Sequence, residues 1–149
     1  MEENKKEIIL VYCSVAIRPF GSKDIVDLLT LSRKNNEKLG ITGMLLYIDE
    51  TFFQVLEGDE ESLHNLYKKI ERDDRHTKVV KLIEEQINKR TFSRWSMGYA
   101  KATRAELATI PELNDFFMRG SCFNELERGR AKVLLEAFRE GKWRRRLTQ

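Results

Sequence analysis

Segments with a strand pattern and segments with a helical pattern alternate along the chain in one specific order. Short stretches rich in β-branched and aromatic residues predict strands at 7–14, 41–48, 51–58, 79–87 and 95–100. Between them, apolar residues recur with the helical period at 22–39 and 59–73. The order β-α-β-β-α-β, followed by a short fifth strand, limits the chain to a small set of folds.

Turn and capping signals mark the ends of these segments. Gly40 follows the first helical stretch, in the place where a glycine commonly ends a helix. Asp59 precedes the second helical stretch and is a favoured N-cap residue. Only Asp49 and Glu50 separate the second and third strands, which predicts an antiparallel hairpin.

The order of elements is that of a ferredoxin-like fold, an α+β class in which a mixed sheet carries both helices on one face. At 149 residues the chain is long enough for one core and too short for two domains of ordinary size. Residues 105–149 contain further amphipathic patterns, and the helix-free face of the sheet is available to bury them. We therefore predict a domain over residues 1–100 and a C-terminal helical extension over residues 101–149 that packs on the sheet.

The composition argues against membrane-spanning and disulfide-rich classes of protein. Hydrophobic residues make up 41% of the chain and charged residues 34%, and no apolar run approaches the roughly 18 residues that a membrane span needs. Cys13 and Cys122 have no metal-ligand spacing and are interpreted as reduced thiols. The N-terminal residues lack a signal-peptide pattern, so we expect a cytoplasmic protein with no membrane partner.

The residues used in common kinds of catalysis do not form recognisable motifs. His64 and His76 are the 2 histidines, and we expect neither to stand at i, i+4 spacing with another metal ligand. The sequence also lacks a glycine-rich phosphate loop and a Ser or Cys nucleophile motif. We therefore expect neither a metal site nor an enzyme.

Nucleic-acid binding is a second class to weigh, because RNA-recognition domains share this order of elements. Their basic and aromatic signature is missing from the central strands, and the predicted extension would cover the sheet face they use. The basic stretch of Lys142 and Arg144 to Arg146 is either a solvated terminus or a contact for an acidic partner or nucleic acid, and a solvated terminus is the more common case. Nucleic acid is therefore a poor candidate for the partner.

Gln54 lies on the strand face that also carries Phe52 and Leu56, where an amide is unusual. Either it lies at a half-exposed edge, or it hydrogen-bonds a buried polar ligand, since an unpaired buried amide costs about 1–3 kcal/mol. Other polar residues at the ends of predicted elements are candidates for the same site: Tyr12, Asn35, Asn36, Asp73, Arg75 and His76. Each also fits an ordinary core or surface position, but their joint occurrence favours a ligand held between the two helices.

A set of short motifs runs through the first hundred residues. They are VYCS at 11–14, SRKNN at 32–36, GITGMLLY at 40–47, FFQVLEG at 52–58, DDRH at 73–76 and WSM at 95–97. In this order and at these spacings they resemble the BLUF family, the blue-light sensors that use FAD. The resemblance implies a flavin ring inserted between the two helices, with the sheet beneath it.

The resemblance also implies roles for individual residues. Tyr12 is implied to donate an electron and a proton to the excited flavin, and Gln54 to bridge Tyr12 and the ring. Asn36, with Asn35 beside it, is implied to hydrogen-bond the polar edge of the ring. These residues would form the flavin-binding part of the predicted domain.

Trp95 and Met97 correspond to a pair of family positions that exchange places near Gln54 and carry the signal to the fifth strand. The other implied contacts with the cofactor are those of Leu28, Lys69, Asp73, Arg75 and His76. Lys69 stands where relatives can carry an arginine, and a lysine lacks the bidentate fork that suits phosphate. The implied cofactor is therefore FAD, with FMN as the alternative.

The resemblance implies a blue-light photoreceptor rather than an enzyme. Transfer from Tyr12 would rearrange the Gln54 amide, whose two ends differ as donor and acceptor, and give a reversible red-shifted state. We expect the C-terminal helices to pass this state to a downstream signalling protein, and the family implies a homo-oligomer. The alternatives are a flavin-free protein-interaction module and, with less support, an RNA-binding domain.

Overall fold

A computed structural model of the protein describes residues 6–48, 50–93, 96–101, 128–140 and 144–145. The elements, in chain order, are β1 (Glu7–Ala16), α1 (Ser22–Leu39), β2 (Thr42–Ile48), β3 (Thr51–Asp59), α2 (Glu60–Glu71), β4 (His76–Ile87), β5 (Gly98–Lys101), α3 (Arg128–Arg139) and β6 (Arg144–Arg145). Within these ranges, no helix is both long and apolar enough to span a membrane.

One mixed sheet holds the strands in the order β4-β1-β3-β2-β5-β6. β1 lies between β4 and β3 and is antiparallel to both, whereas β2 is antiparallel to β3 and parallel to β5. Both α1 and α2 pack on the same face of this sheet. The predicted α+β, ferredoxin-like class is therefore confirmed.

The predicted helix ends are confirmed at two positions. Gly40 adopts a left-handed φ of 68° after α1, and the amide of Ile41 donates to the Asn36 carbonyl at 2.9 Å. The Asp59 side chain accepts a hydrogen bond from the Ser62 amide at 3.2 Å and caps α2. These contacts fix the points where α1 passes into the hairpin and where β3 passes into α2.

β4 begins earlier than predicted, at His76 rather than at residue 79. Its first residues pair with the end of β1, where His76 lies opposite Ala16. Lys78 has a positive φ of 54°, and the register between the strands shifts between Cys13 and Val15. This irregular start hides the strand in the sequence, because a bulge breaks the alternating pattern.

Two further differences concern the edge of the sheet beyond β2. β5 begins at Gly98 rather than at residue 95, and Trp95 lies outside the described residues. β6 is antiparallel to β5, with Arg145 opposite Tyr99 and Arg144 opposite Ala100. A strand this short carries no pattern of its own, since its conformation depends on pairing with its neighbour.

Alternate residues of β1 face two separate apolar layers. Leu10 and Tyr12 pack with α1 and α2, whereas Val11 and Cys13 pack with α3 on the opposite face. α3 contributes Ala131, Leu134, Leu135 and Ala137 to this second layer. The helix-free face is thus covered by α3, as expected, and this is the face that an RNA-recognition domain would use. Residues 102–127 lie outside the described part of the chain, and the division at residue 100 stays a prediction.

Glu57 is a buried carboxylate on β3 that anchors the segment after β4. It is 1% exposed, and its two oxygens accept hydrogen bonds from the amides of Thr91 at 2.9 Å and Phe92 at 2.8 Å. Buried amides need such partners. Glu57 therefore fixes the beginning of the segment that leads into β5.

Glu57→Gln is expected to lower the free energy of unfolding by about 1–3 kcal/mol, because one backbone N–H loses its acceptor. Urea denaturation followed by circular dichroism measures this loss. The control is Glu61→Gln on the exposed surface of α2, which is expected to change the free energy by less than about 0.5 kcal/mol. Equal stabilities of the two variants would show that the carboxylate of Glu57 anchors nothing.

Candidate functional site

A pocket lies where α1 and α2 meet the sheet. All the residues predicted to bind a cofactor line it, namely Tyr12, Leu28, Asn35, Asn36, Gln54, Lys69, Asp73, Arg75 and His76. The remaining lining residues were not predicted and are Phe20, Leu31, Ser32, Leu45, Phe52, Leu56, Leu66 and Ile70. Most of these residues are apolar. Their periodic spacing in the sequence predicts an apolar face of a helix or strand, but it does not indicate that this face lines a pocket. Contact of the predicted residues with a cofactor stays a prediction.

Tyr12 and Gln54 are brought together by strand pairing. They lie directly opposite one another in the register of β1 and β3, and both face the helices. The Tyr12 hydroxyl donates a hydrogen bond to Gln54 Oε1. Tyr12 is only 5% exposed and Gln54 8%, so the first interpretation of Gln54, as a residue at a half-exposed edge, is wrong.

Burial raises the pKa of Tyr12 well above its usual range, and the neighbouring Tyr67 adds to this effect. The phenol is therefore protonated at any physiological pH. A protonated phenol is a hydrogen-bond donor, which fits its bond to the Gln54 oxygen.

The other end of the Gln54 amide faces Met97. Gln54 Nε2 lies 3.3 Å from Met97 Sδ and donates to it. Since sulfur is a weak acceptor, this bond is weaker than the one to Tyr12. Gln54 thus links β1, β3 and the residue that precedes β5. Trp95, the other member of the predicted pair, lies outside the described residues.

Two side chains of α1 hold the segment that carries Met97. Asn36 Nδ2 donates to the Ser96 carbonyl at 2.8 Å, and Arg33 Nε donates to the Met97 carbonyl at 2.9 Å. Neither Arg33 nor Ser96 was predicted as a site residue. The i, i+3 spacing of Arg33 and Asn36 places them on one helix face, but their common target is distant in sequence.

His76 joins β1 to the end of α2. Its Nδ1 lies 2.8 Å from the Ser14 hydroxyl, and its Nε2 lies 2.5 Å from the Ile70 carbonyl. A carbonyl can only accept, so Nε2 carries a proton and donates it to Ile70. The two contacts fix the orientation of the imidazole at the wall of the pocket.

Charged groups occupy another part of the pocket wall. Arg75 Nε donates to Asp73 Oδ1 at 2.9 Å, and this bond lowers the pKa of the Asp73 carboxyl below its usual range. Arg75 and Lys69 give the wall two cations against one anion. The pocket thus combines apolar walls, the side-chain amides of asparagine and glutamine, and an excess of positive charge. This combination suits a planar aromatic ligand that has a polar edge and an anionic group.

Residues 8–98 match the family model for sensors of blue-light using FAD. Over 120 aligned residues the chain is 38% identical to photoactivated adenylate cyclase subunit beta of Euglena longa. The aligned region covers 79% of this chain and 14% of that protein. The chain therefore spans only a small part of the length of the curated relatives that it matches.

The fold is also similar to those of two solved structures. BlsA in its ground state is 30% identical, with a TM-score of 0.75, over 96% of this chain and 94% of the BlsA chain. The dark state of BlrB, a BLUF protein, is 31% identical, with a TM-score of 0.64, over 88% of this chain and 98% of the BlrB chain. Both sequence and structure therefore relate the chain to light-sensing proteins.

Proposed function

The chain belongs to the BLUF family of blue-light sensors, and on that premise we propose that its pocket binds FAD and that Tyr12 and Gln54 form the light-driven switch. As a family member the protein is a flavin-dependent blue-light photoreceptor and not a catalytic domain. The observation that carries the proposal is the buried hydrogen-bonded chain from Tyr12 through Gln54 to Met97.

The donor set of the pocket supports a flavin as the ligand. One N–H of the Asn36 amide donates to the Ser96 carbonyl. Its second N–H and its oxygen can hydrogen-bond the polar edge of a ring. Lys69 and Arg75 line the same pocket and suit the negative charge of a phosphate. Leu28, Leu31 and the other apolar lining residues suit a flat ring system. FAD is the proposed form and FMN the alternative, since Lys69 supplies charge without bidentate geometry.

Tyr12 is the proposed electron and proton donor. When bound, the flavin supplies absorption of blue light and an excited state that accepts one electron. Tyr12 would give up one electron and its phenolic proton to the bound flavin, and the proton would leave along the hydrogen bond to Gln54 Oε1. The protonated starting state of Tyr12 is ensured by burial, which raises the pKa of its phenol.

Gln54 is the proposed bistable element. Loss of the phenolic proton removes the donor that Oε1 faces, so a turned amide that presents its N–H groups to Tyr12 becomes favourable. The turned amide presents its oxygen to Met97 Sδ, and two acceptors repel each other. Met97 therefore leaves its contact, and the return of the electron and proton to Tyr12 leaves the amide turned until it relaxes thermally.

The output of this switch is proposed to pass through Met97. This residue directly precedes β5, and its carbonyl is held by Arg33 of α1. A displacement of Met97 would act on β5, on its neighbour β6 and on α1 together. We propose that the C-terminal helices carry the change to a downstream signalling protein. We also propose that the chain acts in the cytoplasm. It would form a homo-oligomer, as the family resemblance implies.

The purified chain, supplied with FAD, is expected to show a flavin band that shifts to the red in blue light and returns in the dark. Visible spectra recorded before and immediately after illumination test this, with FMN as the comparison ligand. A bound flavin that does not respond would rule out the switch through Tyr12 and Gln54. A failure to bind either flavin would make a flavin-free interaction module the better description.

A further inference from the structure

We propose that Glu60, His64 and Glu84 form a binding site for a divalent transition-metal ion, with Zn²⁺ as its representative. One ligand atom from each residue lies within 4.8 Å of the other two, and all three residues are partly buried. The site lies outside the flavin pocket, since none of these residues lines that pocket. It therefore does not depend on the proposed function.

The secondary structure brings the three ligands together. Glu60 and His64 stand one turn apart on α2 and so share a helix face. Glu84 lies opposite Leu10 in the register of β1 and β4, which places it on the sheet face that carries the helices. The expectation that neither histidine stands at i, i+4 spacing with another ligand is wrong for His64. The third ligand could not be found from the sequence, because its position depends on how α2 packs beside β4.

The backbone at the site is fixed before any metal binds. The Glu60 amide donates to the Lys6 carbonyl at 2.9 Å, and Asp59 caps the first turn of α2 through the Ser62 amide at 3.2 Å. Glu84 belongs to β4, which is paired along most of its length with β1. Ligands on two ordered elements lose little further freedom when they bind an ion.

The contacts of Glu84 leave one of its oxygens suited to a metal. Lys81 Nζ donates to Glu84 Oε1 at 2.8 Å, whereas Oε2 lies 3.0 Å from His64 Nε2. The lysine orients the carboxylate in the way that outer contacts orient metal ligands. An ion placed between Oε2 and Nε2 would replace their direct contact with two coordinate bonds.

The chemistry of the ligands favours a transition metal over magnesium or calcium. A neutral imidazole nitrogen with two carboxylates suits Zn²⁺, whereas Mg²⁺ and Ca²⁺ prefer ligand sets made only of oxygen. Three protein ligands also leave a coordination position for water. The bound ion would join α2 directly to β4.

The test uses the full chain, with and without added FAD, free of any histidine tag and stripped with a chelator. Competition with a chromogenic zinc chelator measures the affinity and stoichiometry, and thermal unfolding measures the stabilisation. Wild-type protein is expected to bind one Zn²⁺ per chain. At about a hundred times the dissociation constant, Zn²⁺ is expected to raise the Tm by roughly 5–10 °C, and Mg²⁺ is expected to leave it unchanged.

His64→Gln and Glu84→Gln are each expected to weaken Zn²⁺ binding by at least about tenfold. The matched control is Glu61→Gln, which removes a carboxylate, as Glu84→Gln does, but from the exposed side of α2. This control is expected to bind Zn²⁺ with wild-type affinity. The Tm of each variant is measured with and without zinc. The difference reports metal binding, whereas the Tm without zinc reports the stability lost with the contact between His64 and Glu84. The proposal is overturned if the wild type shows no zinc-dependent rise in Tm, or if His64→Gln binds zinc as tightly as the wild type.

Discussion

Tyr12→Phe is expected to abolish the light-induced red shift while leaving flavin bound. The substitution keeps the aromatic ring in its buried place and removes only the hydroxyl that donates to Gln54 Oε1. Without that hydroxyl the chain has no proton to release along this hydrogen bond. Difference spectra recorded before and after blue light should show no reversible shift, and the loss of one buried hydrogen bond should lower stability by about 1 kcal/mol.

Tyr67→Phe is the matched control for this experiment. The Tyr67 ring packs edge-on against Tyr12 with 5.8 Å between centroids, and burial raises the pKa of Tyr67 to about 12. The two tyrosines therefore share a ring contact and a buried environment, but Tyr12 is the one bonded to Gln54. The control is expected to keep its red shift. A persistent shift in Tyr12→Phe, or its loss in Tyr67→Phe, would contradict the assignment of Tyr12 as the donor.

Gln54→Leu is expected to remove the red shift as completely as Tyr12→Phe does, but for a different reason. Leucine is similar in size to glutamine but makes neither the bond to Tyr12 nor the bond to Met97. No amide is then present to exchange donor and acceptor. The buried Tyr12 hydroxyl also loses its partner, which should lower the free energy of unfolding by about 1–3 kcal/mol. Gln54→Ala should behave in the same way, with an additional cost for the cavity.

Met97→Leu separates the switch from its output. This substitution nearly conserves volume and removes the sulfur acceptor, while the bond between Tyr12 and Gln54 remains. The red shift is therefore expected to persist, so that only the step after Gln54 is affected.

A normal red shift in Gln54→Leu would show that the amide is not the bistable element. Loss of the shift in Met97→Leu would place Met97 inside the photochemical step.

The features that could be predicted from the sequence are those with local signals. Gly40 and Asp59 end and begin helices through contacts within a few residues, so their roles can be read from short stretches. Gln54 could be recognised because a strand alternates its faces, and an amide stood where apolar residues were expected. Most of the polar residues that line the pocket could be predicted because the stretches that carry them resemble the motifs of the BLUF family.

The features that could not be predicted depend on contacts between distant segments. Arg33 resembles any charged residue on a helix until the Met97 carbonyl is placed against it. Glu57 reads as an exposed charge in a strand, yet the amides of Thr91 and Phe92 make it a buried anchor. The contact of His64 with Glu84 likewise follows from how α2 packs beside β4. Local propensity carries no information about such register and packing.

The segment from Thr91 to Met97 is held at both ends by residues of the same strand, β3. Glu57 accepts hydrogen bonds from two backbone amides at its beginning, whereas the contact from Gln54 to its end is one weak bond to the Met97 sulfur. Loss of the Gln54 contact should therefore leave Thr91 and Phe92 in place, so that a movement of Met97 acts on β5, which follows it, and on Arg33 of α1, which holds its carbonyl.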